Sequence, residues 1–130
     1  MESFVKLGII PGDGGAWFLP RAVGYSNACK MAFTGEPIRS DEALSMGLIS
    51  EIVEPEQLVD RARELATSIA QNPPHAVRLT KQLMRASENA SLDELLDKSA
   101  AFQAICHAEA DHHEAVEAFF EKRSGNYRES

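Results

Sequence analysis

The stretch LGIIPGDGGAWFLPRAVG (residues 7–24) sets a carboxylate, Asp13, between Gly12 and Gly14-Gly15, just before an apolar run. Glycine lets the backbone come close to another molecule, and a carboxylate at that point can take or give a proton. An Asp among glycines also stabilises a turn or caps a following helix, so both readings stand. A phosphate-binding P-loop is excluded because no Gly-Lys-Ser/Thr follows, and GDGGAW has the wrong spacing for a dinucleotide fingerprint. Trp17, the only tryptophan, either packs in the core or lines a pocket for an apolar acyl group. Near the other end, Phe119 and Lys122 lie three residues apart and share one face of a helix. They are either a core ring beside a solvated lysine or a ring-and-cation pair that holds an anionic, partly aromatic ligand.

The run HAEADHHE (107–114) suggests metal at first sight. Neighbouring residues on a helix point in different directions, however, and HExxH is missing, so no metal site is expected and a helix break capped by Asp111 explains the run better. The chain has 130 residues and a formal net charge of −7, which argues against nucleic acid as a partner. An anionic ligand must be met by local cations: Arg21, Lys30 and Arg39 early, Lys122, Arg123 and Arg128 late. Cys29 and Cys106 stand far apart outside any CxxC, as free thiols of a reducing compartment do. No apolar run is long enough to span a bilayer, and MESFVKLG lacks the order of a signal peptide, so a cytoplasmic location is expected.

The elements that must position these residues follow from patterning. With 44% hydrophobic and 25% charged residues, the chain reads as one ordinary globular domain. Phe4 to Ile10 alternates loosely and predicts a short strand or a buried extended segment, and Leu48 to Glu54 alternates and predicts a short strand. Between them, short helices are expected over Ala16 to Val23, stopped by Gly24, then over Asn27 to Phe33, and over DEALSMG with Ser40 as N-cap. Pro20 must sit in the first turns of its helix or kink it. From Pro55 onward the chain turns helical, with Leu58, Ala62, Leu65, Ala66 and Ile69 on one face. Pro74 opens another helix, Ser91 and Glu94 have capping-box spacing, and Asp111 starts the last helix. The apolar stripes of this helical assembly exceed what they can cover for one another, which implies a partner surface.

LGIIPGDGGAWFLPRAVG, MAFTGEPIRSDEALSMGLISEIVEPEQL and EAVEAFFEKRSGNY together closely resemble the enoyl-CoA hydratase/isomerase (crotonase) superfamily, in order and spacing, over essentially the whole chain. The resemblance implies a mainly α chain with one or two short strands, the C-terminal part of a crotonase-like α/β spiral fold. Residues 1–54 would end the spiral core and residues 55–130 would form the helical trimerisation region. Only the second half of a family member is covered; the oxyanion-hole amides and the first catalytic glutamate are expected in a preceding half, so the chain reads as an incomplete enzyme, inactive alone. Where hydratases carry their second glutamate, four residues before the glycine of the LG pair, this sequence has Phe4, and Glu2 does not align. Some isomerases of the family carry an aspartate just after that pair, and Asp13 lies within one residue of it. The resemblance thus implies acid–base chemistry by Asp13 on an enoyl-CoA thioester, with Pro11, Gly12 and Trp17 beside the substrate. Phe119 and Lys122 match the F-x-x-K that closes over coenzyme A in a trimer or hexamer. No cofactor is expected beyond the coenzyme A of the substrate, and fatty-acid metabolism by a lyase or isomerase is the implied setting. The rival expectation is a non-catalytic helical oligomerisation module kept from the same family.

Overall fold

The computed structural model describes residues 1–127, and the chain divides into two compact units, Met1–Gln57 and Leu58–Ser130. The first unit opens with a 3-10 turn, Phe4–Leu7, followed by α1 (Gly15–Val23), α2 (Tyr25–Thr34) and α3 (Ser40–Ser45). Its core is Val23, Ala28 and Met31, with Leu19, Ile38, Met46 and Leu48 partly buried around them. Gly35 closes α2 with φ 58°. A Cβ there would meet Lys6 side-chain carbons at 3.1 and 3.2 Å and the Glu2 carbonyl at 3.3 Å, so the 3-10 turn packs against a place only glycine vacates comfortably. Lys30 reaches from α2 to Glu42 of α3 at 2.7 Å.

The mainly α character stands, but neither expected strand forms. Phe4 to Ile10 supplies the 3-10 turn and an irregular segment, Leu48 to Glu54 is irregular throughout, and no strand is present among the described residues. A strand needs the N–H and C=O groups of a neighbouring strand, and these segments find none here. One local expectation also changes. Arg39, not Ser40, occupies the N-cap of α3, and no side chain caps it. Pro20 lies inside α1.

The second unit follows a 3-10 turn at Pro55–Gln57 and holds α4 (Leu58–Ala70), α5 (Pro74–Ala86), α6 (Leu92–His107) and α7 (Ala110–Glu121). Pro74 takes the first position of α5, where its missing N–H costs nothing. The Ser91–Glu94 capping box is present in both directions: the Glu94 amide donates to Ser91 Oγ at 3.3 Å and the Ser91 amide to Glu94 Oε2 at 2.8 Å. The Ser91 amide first, and then the Ser91 hydroxyl, which donates to Glu94 Oε2 at 2.8 Å, hold the Glu94 carboxyl below its ordinary range. Glu109, rather than Asp111, occupies the N-cap of α7, and Asp111 falls in its first turn. The Glu109 carboxylate pairs instead with His75, tying the start of α5 to the α6–α7 corner. α4 buries nothing: Leu58, Leu65 and Ile69 of its predicted apolar face stay exposed.

Leu79, 7% exposed, is the buried residue of α5. Leu79→Ala should destabilise the second unit by about 2–5 kcal/mol, read as a lower urea midpoint at unchanged slope. At the far end Arg123 binds Glu114 at 2.5 and 3.1 Å, and the Asn126 amide donates to the same carboxylate at 2.8 Å, folding the tail onto α7. Arg123 and then the Asn126 amide hold the Glu114 carboxyl down, from 4.5 to about 2. A carboxyl depressed on folding adds stability that is complete above 4.5 and disappears as pH falls through about 2. Acid unfolding followed by circular dichroism should therefore flatten over that window in Glu114→Gln.

Candidate functional site

Asp13 stands at the mouth of α1. Gly14, with φ 95°, is the N-cap, a conformation that L side chains avoid. The Gly15 amide donates to Asp13 Oδ1 at 2.9 Å, so the carboxylate satisfies a free donor of the first helical turn and lies where the helix dipole favours negative charge. Asp13 itself is exposed. A Cβ on Gly15 would lie 2.9 Å from Glu2 Oε2 and 3.1 Å from Asp13 Oδ1. Two carboxylates therefore converge on one helix start. Sequence spacing gave no sign of Glu2's part; the 3-10 turn at Phe4–Leu7, a non-local packing outcome, carries it there. Glu2 Oε2 is buried and accepts no hydrogen bond among the described residues.

Beside this turn lies an apolar cavity of about 520 Å³, walled by Ile9, Ile10, Pro11, Leu19, Cys29 and Phe33 among others. Pro11 is thus part of the wall, while Gly12, Asp13 and Trp17 are not among the lining residues. Trp17 is 44% exposed and is no core residue. The Arg21 guanidinium covers its ring at 3.4 Å from the centroid and donates to the Trp17 carbonyl at 3.0 Å. That one-turn spacing on α1 is a cation–π contact readable from sequence once the helix is granted. Tyr25 and Cys29, one turn apart on α2, also border the cavity. A hydrogen bond to the Cys29 thiol pushes the Tyr25 phenol above its ordinary value.

Phe119 and Lys122 belong to the second unit. Phe119 is 78% exposed and meets Phe120 edge-on at 5.8 Å, so it is not a core ring. Lys122 ends α7 at φ 57°, the only non-glycine in the left-handed region among the described residues. Among the earlier cations, Arg21 is engaged with Trp17 and Lys30 with Glu42; Arg128 lies outside the described residues. Among the described residues, no three His, Cys, Asp or Glu side chains gather to hold a metal ion. The histidines stack instead, His107 on His112 at 4.7 Å. No helix among the described residues is long and apolar enough to cross a membrane.

Comparison with known proteins adds an independent line. The enoyl-CoA hydratase/isomerase family model matches residues 1–130. The 1,2-epoxyphenylacetyl-CoA isomerase of Escherichia coli K12 is 37% identical over 96% of this chain and 48% of its own length. The short-chain-enoyl-CoA hydratase of Clostridium acetobutylicum is 40% identical over 92% of this chain and 46% of its own. The crystal structure of enoyl-CoA hydratase from Bacillus anthracis superposes with a TM-score of 0.93 at 34% identity, over 96% of this chain and 48% of that one. The chain thus spans about half the length of these relatives.

A lysine held at positive φ costs about 1 kcal/mol relative to glycine. Lys122→Gly should therefore raise the stability of the second unit by about that amount in urea unfolding. A loss of stability would show that the side chain holds the helix end.

Proposed function

The chain belongs to the enoyl-CoA hydratase/isomerase family, and we propose that it forms the C-terminal half of an enzyme acting on enoyl-CoA thioesters through a stabilised enolate. In this reading the Asp13 carboxylate takes a proton from the carbon beside the thioester carbonyl. The C–H electron pair moves into the carbonyl as an enolate, and Asp13 returns the proton to a carbon farther along the chain, shifting the double bond. The backbone donors that stabilise the enolate oxygen would come from the part of the family fold this chain does not span. Pro11, Gly12 and Trp17 would flank the acyl group. Lys122 would pair with a coenzyme A phosphate while Phe119 covers the adenine or pantetheine, in a trimeric or hexameric, cytoplasmic enzyme.

The observation that carries this reading is Asp13 at a helix start whose glycine turn runs into an apolar cavity at Pro11. The exposure of Phe119 and Lys122 also supports it, because both remain available to a ligand. One observation favours a non-catalytic helical module instead: Asp13 is exposed and its Oδ1 is engaged by the Gly15 amide, a structural role sufficient in itself.

Three measurements decide. The chain alone should show no appreciable hydration or isomerisation of enoyl-CoA substrates, and robust turnover would refute the need for outside oxyanion donors. Calorimetric titration of coenzyme A should give saturable binding, which a pure oligomerisation module would lack. Lys122→Met should then weaken that binding about tenfold, the worth of one charge-assisted contact.

A further inference from the structure

We infer that the corner between α6 and α7 is a pH-sensitive joint: as its imidazole rings take up protons, the start of α7 comes away from α6 while α5 keeps hold of the corner. This goes beyond the catalytic reading above and does not depend on it.

All four histidines of the chain gather at this corner of the second unit. His107 in the last turn of α6 and His112 in the first turn of α7 stack almost flat, with 4.7 Å between ring centres and 4° between planes. His113 tilts against His112 at 5.8 Å. His75, at the start of α5, pairs with the carboxylate of Glu109, the N-cap of α7.

The stack is a contact between neutral rings. The Gln103 carboxamide nitrogen lies 2.9 Å from His107 Nε2, and an N–H donor there needs an accepting ring nitrogen, which an imidazolium does not offer. Neutral rings gain from lying against one another, whereas two imidazolium rings at the same spacing repel. Imidazole acquires its charge between about pH 8 and about pH 5. Charge on His112 is also opposed by the positive end of the α7 dipole. His75 answers in the opposite direction, because a proton turns its bond to Glu109 into a charge-assisted pair. One range of proton uptake therefore weakens the tie between α6 and α7 and strengthens the tie between α5 and the corner.

The neighbouring charges do not cancel this. Glu109 is taken by His75 and Glu114 by Arg123. Asp111 shares a turn with His112, and Arg78 lies one turn along α5 from His75; both have interactions of their own. With every ring charged, four imidazolium groups and Arg78 stand against the carboxylates of Glu109 and Asp111. α7 packs on α6 and carries Phe119 and Lys122 at its far end, so the joint decides how firmly those two side chains are held.

Amide hydrogen exchange followed by mass spectrometry tests this on the chain at about pH 8 and about pH 5.5, read helix by helix and corrected for the intrinsic pH dependence of exchange. Glu114 keeps its charge between those values, since its carboxyl is held down to about 2. Protection of α7 should fall about tenfold at the lower pH while α5 keeps its own. His112→Phe retains a flat ring that gains no proton, so its α7 should be equally protected at both values. His107→Phe repeats the test from the α6 side if that variant does not fold. Equal α7 protection at the two values in the unaltered chain overturns the inference. So does a loss that survives in a folded His112→Phe or His107→Phe chain, and so does α5 opening in step with α7, which is general acid unfolding.

Discussion

An extended backbone cannot satisfy its own hydrogen-bonding groups, whereas a helix satisfies nearly all of its own internally. That asymmetry governs this chain. Every segment whose polar groups can be met locally has become regular: α1, α2, α5, α6 and α7 all form within a few residues of where their apolar spacing and stop signals place them. The two segments that depend on a distant neighbour have not. Phe4 to Leu7 collapses into a single 3-10 turn, in which Gly8 donates back to the Val5 carbonyl and Lys6 to the Ser3 carbonyl, and Leu48 to Glu54 stays irregular.

What was legible in the sequence divides along that line. Helix ends set by one residue were readable: Gly24 and Gly35 close α1 and α2, Pro74 opens α5, and the Ser91–Glu94 box forms as its spacing requires. Ends set by competition were not. At α7 the sequence pointed to Asp111, but Glu109 takes the N-cap position, and its carboxylate pairs with His75 on α5 at the corner, a contact that no local pattern reveals. Trp17 illustrates the same limit for side chains. Its size favours burial, but burial needs a core to enter, and Arg21 one turn away covers the ring instead.

The glycine turn was legible as chemistry but not as geometry. The spacing identified Asp13 as a carboxylate facing a helix; it could not show that the 3-10 turn delivers Glu2 to the same place, within reach of the position a Gly15 Cβ would occupy. Bringing two carboxylates to one site is unfavourable unless something offsets their repulsion. Here the start of α1 supplies part of the offset through its free amides and dipole, one of which Asp13 uses. Glycine at position 15 is what makes the convergence sterically possible, so the residue serves the electrostatics rather than merely the turn.

The end of α7 sets a fastened network beside a strained position over a few residues. Arg123 is committed to structure: its guanidinium joins Glu114 and Glu121, and Glu114 in turn accepts the Asn126 amide. A helix end so well fastened could be finished by glycine at the left-handed position that follows, at no steric cost. The sequence has Lys122 there, at φ 57°, with its side chain exposed beside an exposed Phe119. A strained backbone persists only where the surrounding structure holds it, and the bonds of Arg123 lie directly beside this one. Lys122 itself, at that position, keeps its side chain exposed.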